Sequence, residues 1–226
     1  MIYQIERIKR DVRVALDEDV ETESLLEEGD EEVERLAGLT ESKIAEAVDR
    51  VHVAAPYHLL EQGHNFNEDT TGEESDETVT YPYGIHWADM ESGWVLLPED
   101  FLRLVVFEMS DWERPVYTAI TPADPQYKKQ RSRVKAIRGT AQRPVCALVV
   151  RPEGKALEFY SCKSEEAIVS KAVYIPFAVV ENGGVDISEK CYRAVVYTVA
   201  GLVLETRGEP DKAKEMLATA EAELNK

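Results

Sequence analysis

Like charges are gathered into three blocks along this chain, which limits what its segments can pack against. Asp17 to Glu34 holds eleven carboxylates and no Lys or Arg. Glu61 to Thr78 holds seven more acids, again without a cation. Gln126 to Arg143 reverses the sign, with Lys128, Lys129, Arg131, Arg133, Lys135, Arg138 and Arg143 and no acid. Like charges repel within each block, so a folded monomer gains little from this sorting. A molecule that meets copies of itself, or a charged partner, gains orientation and specificity from it. Assembly is therefore the first function to weigh.

The remaining composition narrows the classes. A net charge of −18 over 226 residues argues against wrapping duplex DNA, whose phosphates would be repelled. It leaves room for a local basic contact through 126–143. No apolar run reaches 18 residues, so no transmembrane helix is expected. The opening stretch MIYQIERIKRDVRVAL is charged and periodic, unlike a signal peptide. Cys146, Cys162 and Cys191 are odd in number and widely spaced, which favours a reducing cytoplasm over a disulfide framework.

Periodicity sets the expected elements. Ile2, Ile5, Ile8, Val12 and Leu16 share one helical face over 2–16. The acidic stretch 17–38 reads as a solvated loop. Thr40 is a good N-cap for a helix over about 40–61, with Ile44, Ala47, Val48, Val51, Ala54 and Ala55 inward and Pro56 kinking or ending it. A second acidic loop covers 63–78. The period then changes: 79–87, 94–97, 101–109, 115–120, 145–151, 156–161 and 168–176 read as strands. Arg151-Pro152-Glu153-Gly154-Lys155 is a hairpin turn, and Asn182-Gly183-Gly184 breaks the chain. Ser188 can cap a helix over 189–207; Gly208-Glu209-Pro210 stops it and starts another that closes the chain. The expected fold is α+β: a helical bundle formed by N- and C-terminal helices (1–62 and 186–226) with a central β-rich insertion (79–180) and acidic loops at 17–38 and 63–78.

Catalytic, cofactor and metal signatures are not found. His52, His58 and His64 are spaced six apart, off a common helical face, and the cysteines form no C-x-x-C pair. There is no G-x-S-x-G, no G-x-G-x-x-G and no phosphate loop, and Cys146 sits in an apolar strand. Neither acidic block has the alternating carboxylates of a calcium loop. Paired carboxylates mean nothing among 44 acids. The candidate contact residues are Lys128, Lys129, Arg131, Arg133, Lys135 and Arg138, facing an acidic copy of the chain, remaining a solvated loop, or meeting phosphates. Tyr127 is the one aromatic among them, short of the basic–aromatic interleaving of a single-strand binder.

Leu97-Pro98-Glu99-Asp100-Phe101-Leu102-Arg103-Leu104 followed by Trp112-Glu113-Arg114-Pro115-Val116 resembles the strand region of phage tail adaptors. The stretch from Arg193 to Lys226, with Gly208-Glu209-Pro210-Asp211-Lys212-Ala213 at its turn, is similar to their closing helix pair. Gln130-Arg131-Ser132-Arg133 and Arg151 to Cys162 resemble segments of a structural protein of crAss-like phages. These are head-to-tail connector components, the group of tail tubular protein A. The resemblance implies a non-enzymatic ring without cofactors, dodecameric, docked beneath the portal protein and joined to downstream tail proteins. It implies a place in the neck of the virion, assembly in the host cytoplasm, no membrane, and passage of DNA without tight binding. The other classes left open are a nucleic-acid-binding module using 126–143 and a carboxylate hydrolase.

Overall fold

The computed structural model describes residues 1–16, 31–60 (31–33 as backbone only), 63–66, 84–132, 134 and 136–226. Most of both acidic blocks, Arg133, Lys135 and residues 79–83 of the first expected strand lie outside the described residues. The chain is α+β, with helices toward both ends and antiparallel sheets between. It divides into two compact units, 1–62 with 177–226, and 63–176.

The first unit is built on helices α1 (Ile5–Ala15), α2 (Glu31–Ala54), α3 (Tyr192–Arg207) and α4 (Pro210–Leu224). Its first three strand residues, β1 (Ile2–Gln4), were expected to be helical. They pair instead with β10 (Gly184–Asp186), which pairs with β9 (Val180–Glu181). Tyr3 is buried between exposed neighbours, a two-residue alternation, and stacks on Tyr192 at 4.2 Å. The helical period starts only at Ile5, with Ile8 and Val12 buried behind it. Asn182 and Gly183 both have positive φ, at 51° and 72°, and form the two-residue turn joining β9 to β10. An expected chain break is thus a hairpin, which Asn-Gly favours because both turn residues need positive φ.

Helix α2 begins at Glu31, nine residues before the expected start at Thr40. Glu, Arg, Leu and Ala, which fill its first turns, are strong helix formers. Thr40 is no cap: its hydroxyl donates to the Leu36 carbonyl at 2.8 Å inside the helix. The helix ends at Ala54 ahead of Pro56, and Ile44, Ala47, Val48 and Val51 form its buried face. Ala54, expected inward, is exposed. Ser188 caps nothing either; its hydroxyl donates to the Leu59 carbonyl, and a short 3-10 turn precedes α3. Gly208, at φ 82°, closes α3 in the left-handed conformation, and Pro210 opens α4.

Among the described residues, the second unit holds two sheets. One has the order β2 (His64–Asn65), β8 (Val169–Pro176), β5 (Phe101–Met109). The other has the order β3 (His86–Trp87), β4 (Gly93–Leu96), β7 (Gly154–Tyr160), β6 (Val145–Arg151). The fully buried Val95, Phe107, Met109, Leu157 and Phe159 belong to one core fed by both sheets. Each such side chain contributes about 1.5–3 kcal/mol through burial. The expected strand 115–120 is reduced to single bridges at Val116 and Ile120. Pro115 and Pro122 flank it, and a residue without an N–H interrupts a ladder. Pro152 and Glu153 make the two-residue turn between β6 and β7, where the hairpin was expected.

Candidate functional site

Strand β7 has two faces. Leu157 and Phe159 point to the core, so Ala156, Glu158 and Tyr160 share the opposite face, by the strand's period of two. Register places Trp94 of β4 and Ala147 of β6 on either side of Glu158. A buried carboxylate on an apolar sheet needs donors. Glu158 has three: the Tyr160 hydroxyl at 2.5 Å, the Tyr127 hydroxyl at 3.0 Å and the Arg151 guanidinium at 2.5 Å. Burial, and then the adjoining Glu158 carboxylate, push both phenols above the ordinary tyrosine range, so they stay neutral donors. Arg151 lies 3.8 Å from the centroid of the Trp94 ring, which also stacks on His86.

Tyr127 belongs to the basic segment, and its bond to Glu158 is the first of three tethers. The segment starts as a turn: the Asp124 carboxylate accepts from the Gln126 N–H at 2.7 Å, and a 3-10 turn follows over Tyr127–Arg131. The second tether is Gln130, which is buried. Its amide donates to the Gln126 carbonyl at 3.1 Å, and its Oε1 accepts from the Gly139 N–H at 2.8 Å. Arg138 is the third, through an ion pair with Glu91. The expected arm is therefore a ledge, held at both ends against the sheet.

The six candidate residues separate on this ledge. Lys128, Lys129 and Arg131 are exposed, Arg138 is half-buried, and Arg133 and Lys135 lie outside the described residues. Arg131 stands 5.9 Å from the Tyr127 ring centroid. The structure brings Arg131 and Arg138 together at a cleft of about 280 Å³, with Trp94, Arg151, Glu158 and Ser161 among its other walls. Those four escape a reading by charge blocks. The available signal was a single acid inside the apolar run Ala156-Leu157-Glu158-Phe159-Tyr160.

Among the described residues, Arg138 Nε, Arg151 Nε and Ser161 Oγ are buried atoms without a hydrogen-bond partner, and all three residues line this cleft. Ser161 is 7% exposed and held at φ 80°, a left-handed conformation that serine seldom adopts. Among the described residues, no group of three or more His, Cys, Asp or Glu is placed to hold a metal ion. No helix among them is long and apolar enough to cross a membrane. The cysteines are buried outside disulfides, and burial pushes the Cys146 and Cys162 thiols up, the latter to about 12. Compared with protein-family models and with curated proteins, the sequence finds no match.

Proposed function

We propose that this chain is a non-catalytic structural subunit of a phage head-to-tail connector. Copies form a ring beneath the portal protein, in the virion neck, and join it to downstream tail proteins. Neighbours meet through the basic ledge of one copy and an acidic face of the next. The observation that carries this reading is the ledge. On a chain of net charge −18, Lys128, Lys129 and Arg131 are exposed in one short turn that Tyr127, Gln130 and Arg138 fasten in place. A fastened contact spends less conformational entropy on binding than a loose arm would. The order of helices at both ends around a β-rich insertion, which the resemblance implies, supports it further. The acidic balance suits a channel that DNA passes without sticking.

Native mass spectrometry of the chain, alone and with the portal protein of the same genome, tests the reading. The expected result is a large ring, formed alone or on the portal. Arg131→Glu with Arg133→Glu should block it while circular dichroism stays unchanged. A chain that ignores the portal and instead shifts DNA in a salt-dependent manner would move the ledge to nucleic-acid binding.

A further inference from the structure

We propose that the first unit pairs with a second copy of itself about a two-fold axis, through a groove between α2 and α4 that lies apart from the ledge. Helices α2 and α4 both pack on α3 and leave between them a groove of about 320 Å³. Val51 and Ala54 of α2, Thr198 of α3, and Leu217, Ala220 and Leu224 of α4 line it. Val51, Ala220 and Leu224 are buried, Leu217 is half-buried and Ala54 is exposed. Arg50 on the α2 wall and Glu221 on the α4 wall are exposed at its edges.

A small ligand is held by polar groups that converge on it. Here the buried polar side chain, Thr198, already donates to the Ala194 carbonyl at 2.7 Å, and the Asn225 amide donates to the Glu221 carbonyl at 2.9 Å. What the groove offers is apolar shape with charge at its edges, the anatomy of a protein interface. The side chain that fits it stands on its own rim. Arg50, Val53 and Ala54 follow the i, i+3, i+4 spacing by which a helix anchors in a groove, and Val53 is 52% exposed. Knob and groove wall share one helix, so two copies related by a two-fold axis seat Val53 of each in the groove of the other. Charge fits the same operation, because opposite signs on opposite walls cross over: Arg50 of each copy meets Glu221 of the other. The Glu221 carboxylate has no cation among the described residues. Arg50 bonds Glu46 at 2.7 Å, an exposed pair that holds it weakly. Such a contact is isologous and closes on itself, whereas the ledge contact is heterologous.

The test uses the full-length chain carrying Arg131→Glu and Arg133→Glu, which on the ring reading removes the ledge contact and leaves the groove intact. Native mass spectrometry and sedimentation should show a dimer. Val53→Asp added to it should raise the dissociation constant about tenfold or more, with circular dichroism unchanged because the side chain is exposed. Arg50→Glu alone, or Glu221→Arg alone, should weaken the dimer about tenfold, since each sets like charges against one another at both crossed contacts. Both in one chain should restore it. Mixed as separate chains, the two single variants should pair one to one, an outcome that requires Arg50 of one copy to face Glu221 of the other.

A chain that stays monomeric in this background overturns the pairing and leaves the ring reading as it stands. A dimer that these substitutions leave intact, or that the exchanged charges fail to restore, is made by another contact, and the proposal falls. Rings that persist in the background variant overturn the ledge contact instead. The mixture of single variants then decides the pairing: a rise in the number of copies on mixing upholds it, and no rise removes it.

Discussion

Glu158 shows how one residue can organise a surface. Three side chains from three stretches of sequence, Tyr127, Arg151 and Tyr160, end on its carboxylate. Its side chain is 8% exposed and that of Arg151 26%, so the pair is largely screened from water. Removing one partner of such a pair strands the other, at about 3 kcal/mol or more. Glu158→Ala should therefore destabilise the second unit by about 3 kcal/mol in denaturant unfolding, well beyond the cost of trimming an exposed acid. A loss below about 1 kcal/mol, the range of a surface pair, would show that the network is not structural. Nothing in composition singles out this acid from 44. Its place becomes readable only through the two-residue alternation of β7 and the register with Trp94, which no count of charges contains. Ser161 was hidden for a related reason: a left-handed backbone at a non-glycine residue leaves no mark in sequence.

At the scale of elements, the basic segment changes character once it is fastened. Its turn hangs on Tyr127, whose phenol, like that of Tyr160, is pushed above the ordinary tyrosine range by burial and by Glu158. The sign of the coupling is fixed by that direction. A folded state that holds the phenolic proton more tightly than the unfolded chain keeps its full stability below about pH 10, the ordinary tyrosine value. It loses stability as pH rises from there through the folded values. The melting temperature should begin to fall near pH 9, the ordinary thiol value, because the buried Cys146 and Cys162 are also held protonated, and should fall more steeply above about pH 10, where the phenols join. Tyr160→Phe should flatten the fall; an unchanged slope would place the titrating group elsewhere. Legibility at this scale followed turn chemistry and long periods. Strand Phe101–Met109 and the Pro152-Glu153 hairpin match their expected positions. The short strands β1, β9 and β10 went unforeseen because two or three residues carry no readable period, and their pairing is a tertiary fact. Thr40 misled because a good cap residue is also tolerated mid-helix when its hydroxyl bonds back to a carbonyl.

At the scale of the molecule, the chain leaves one unit, builds a second and returns. The order of helix, sheet and helix along the sequence was legible. The point of departure was not, because β2 is two residues long and borders an acidic block. The register of β2 with β8 has a structural consequence. His64 lies opposite Tyr174, so the chain enters and leaves the second unit on neighbouring antiparallel strands. Residues 63–176 also have a core of their own, which includes Phe66, Phe101, Phe107, Trp112 and Phe159. A segment with its own core and adjacent ends meets the conditions for folding alone. Residues 63–176 expressed as a separate chain should unfold cooperatively, keep the Glu158 network and lose about the same 3 kcal/mol on Glu158→Ala. The excised unit carries the ledge and lacks Asp17–Glu34; on the proposed ring reading it takes up a neighbour's acidic face through the ledge without offering that block in return. Added to assembling full-length chains, it should cap them and shorten the distribution of oligomers in native mass spectrometry. An excised unit that folds but leaves assembly untouched would place the contact between copies on the helical unit instead.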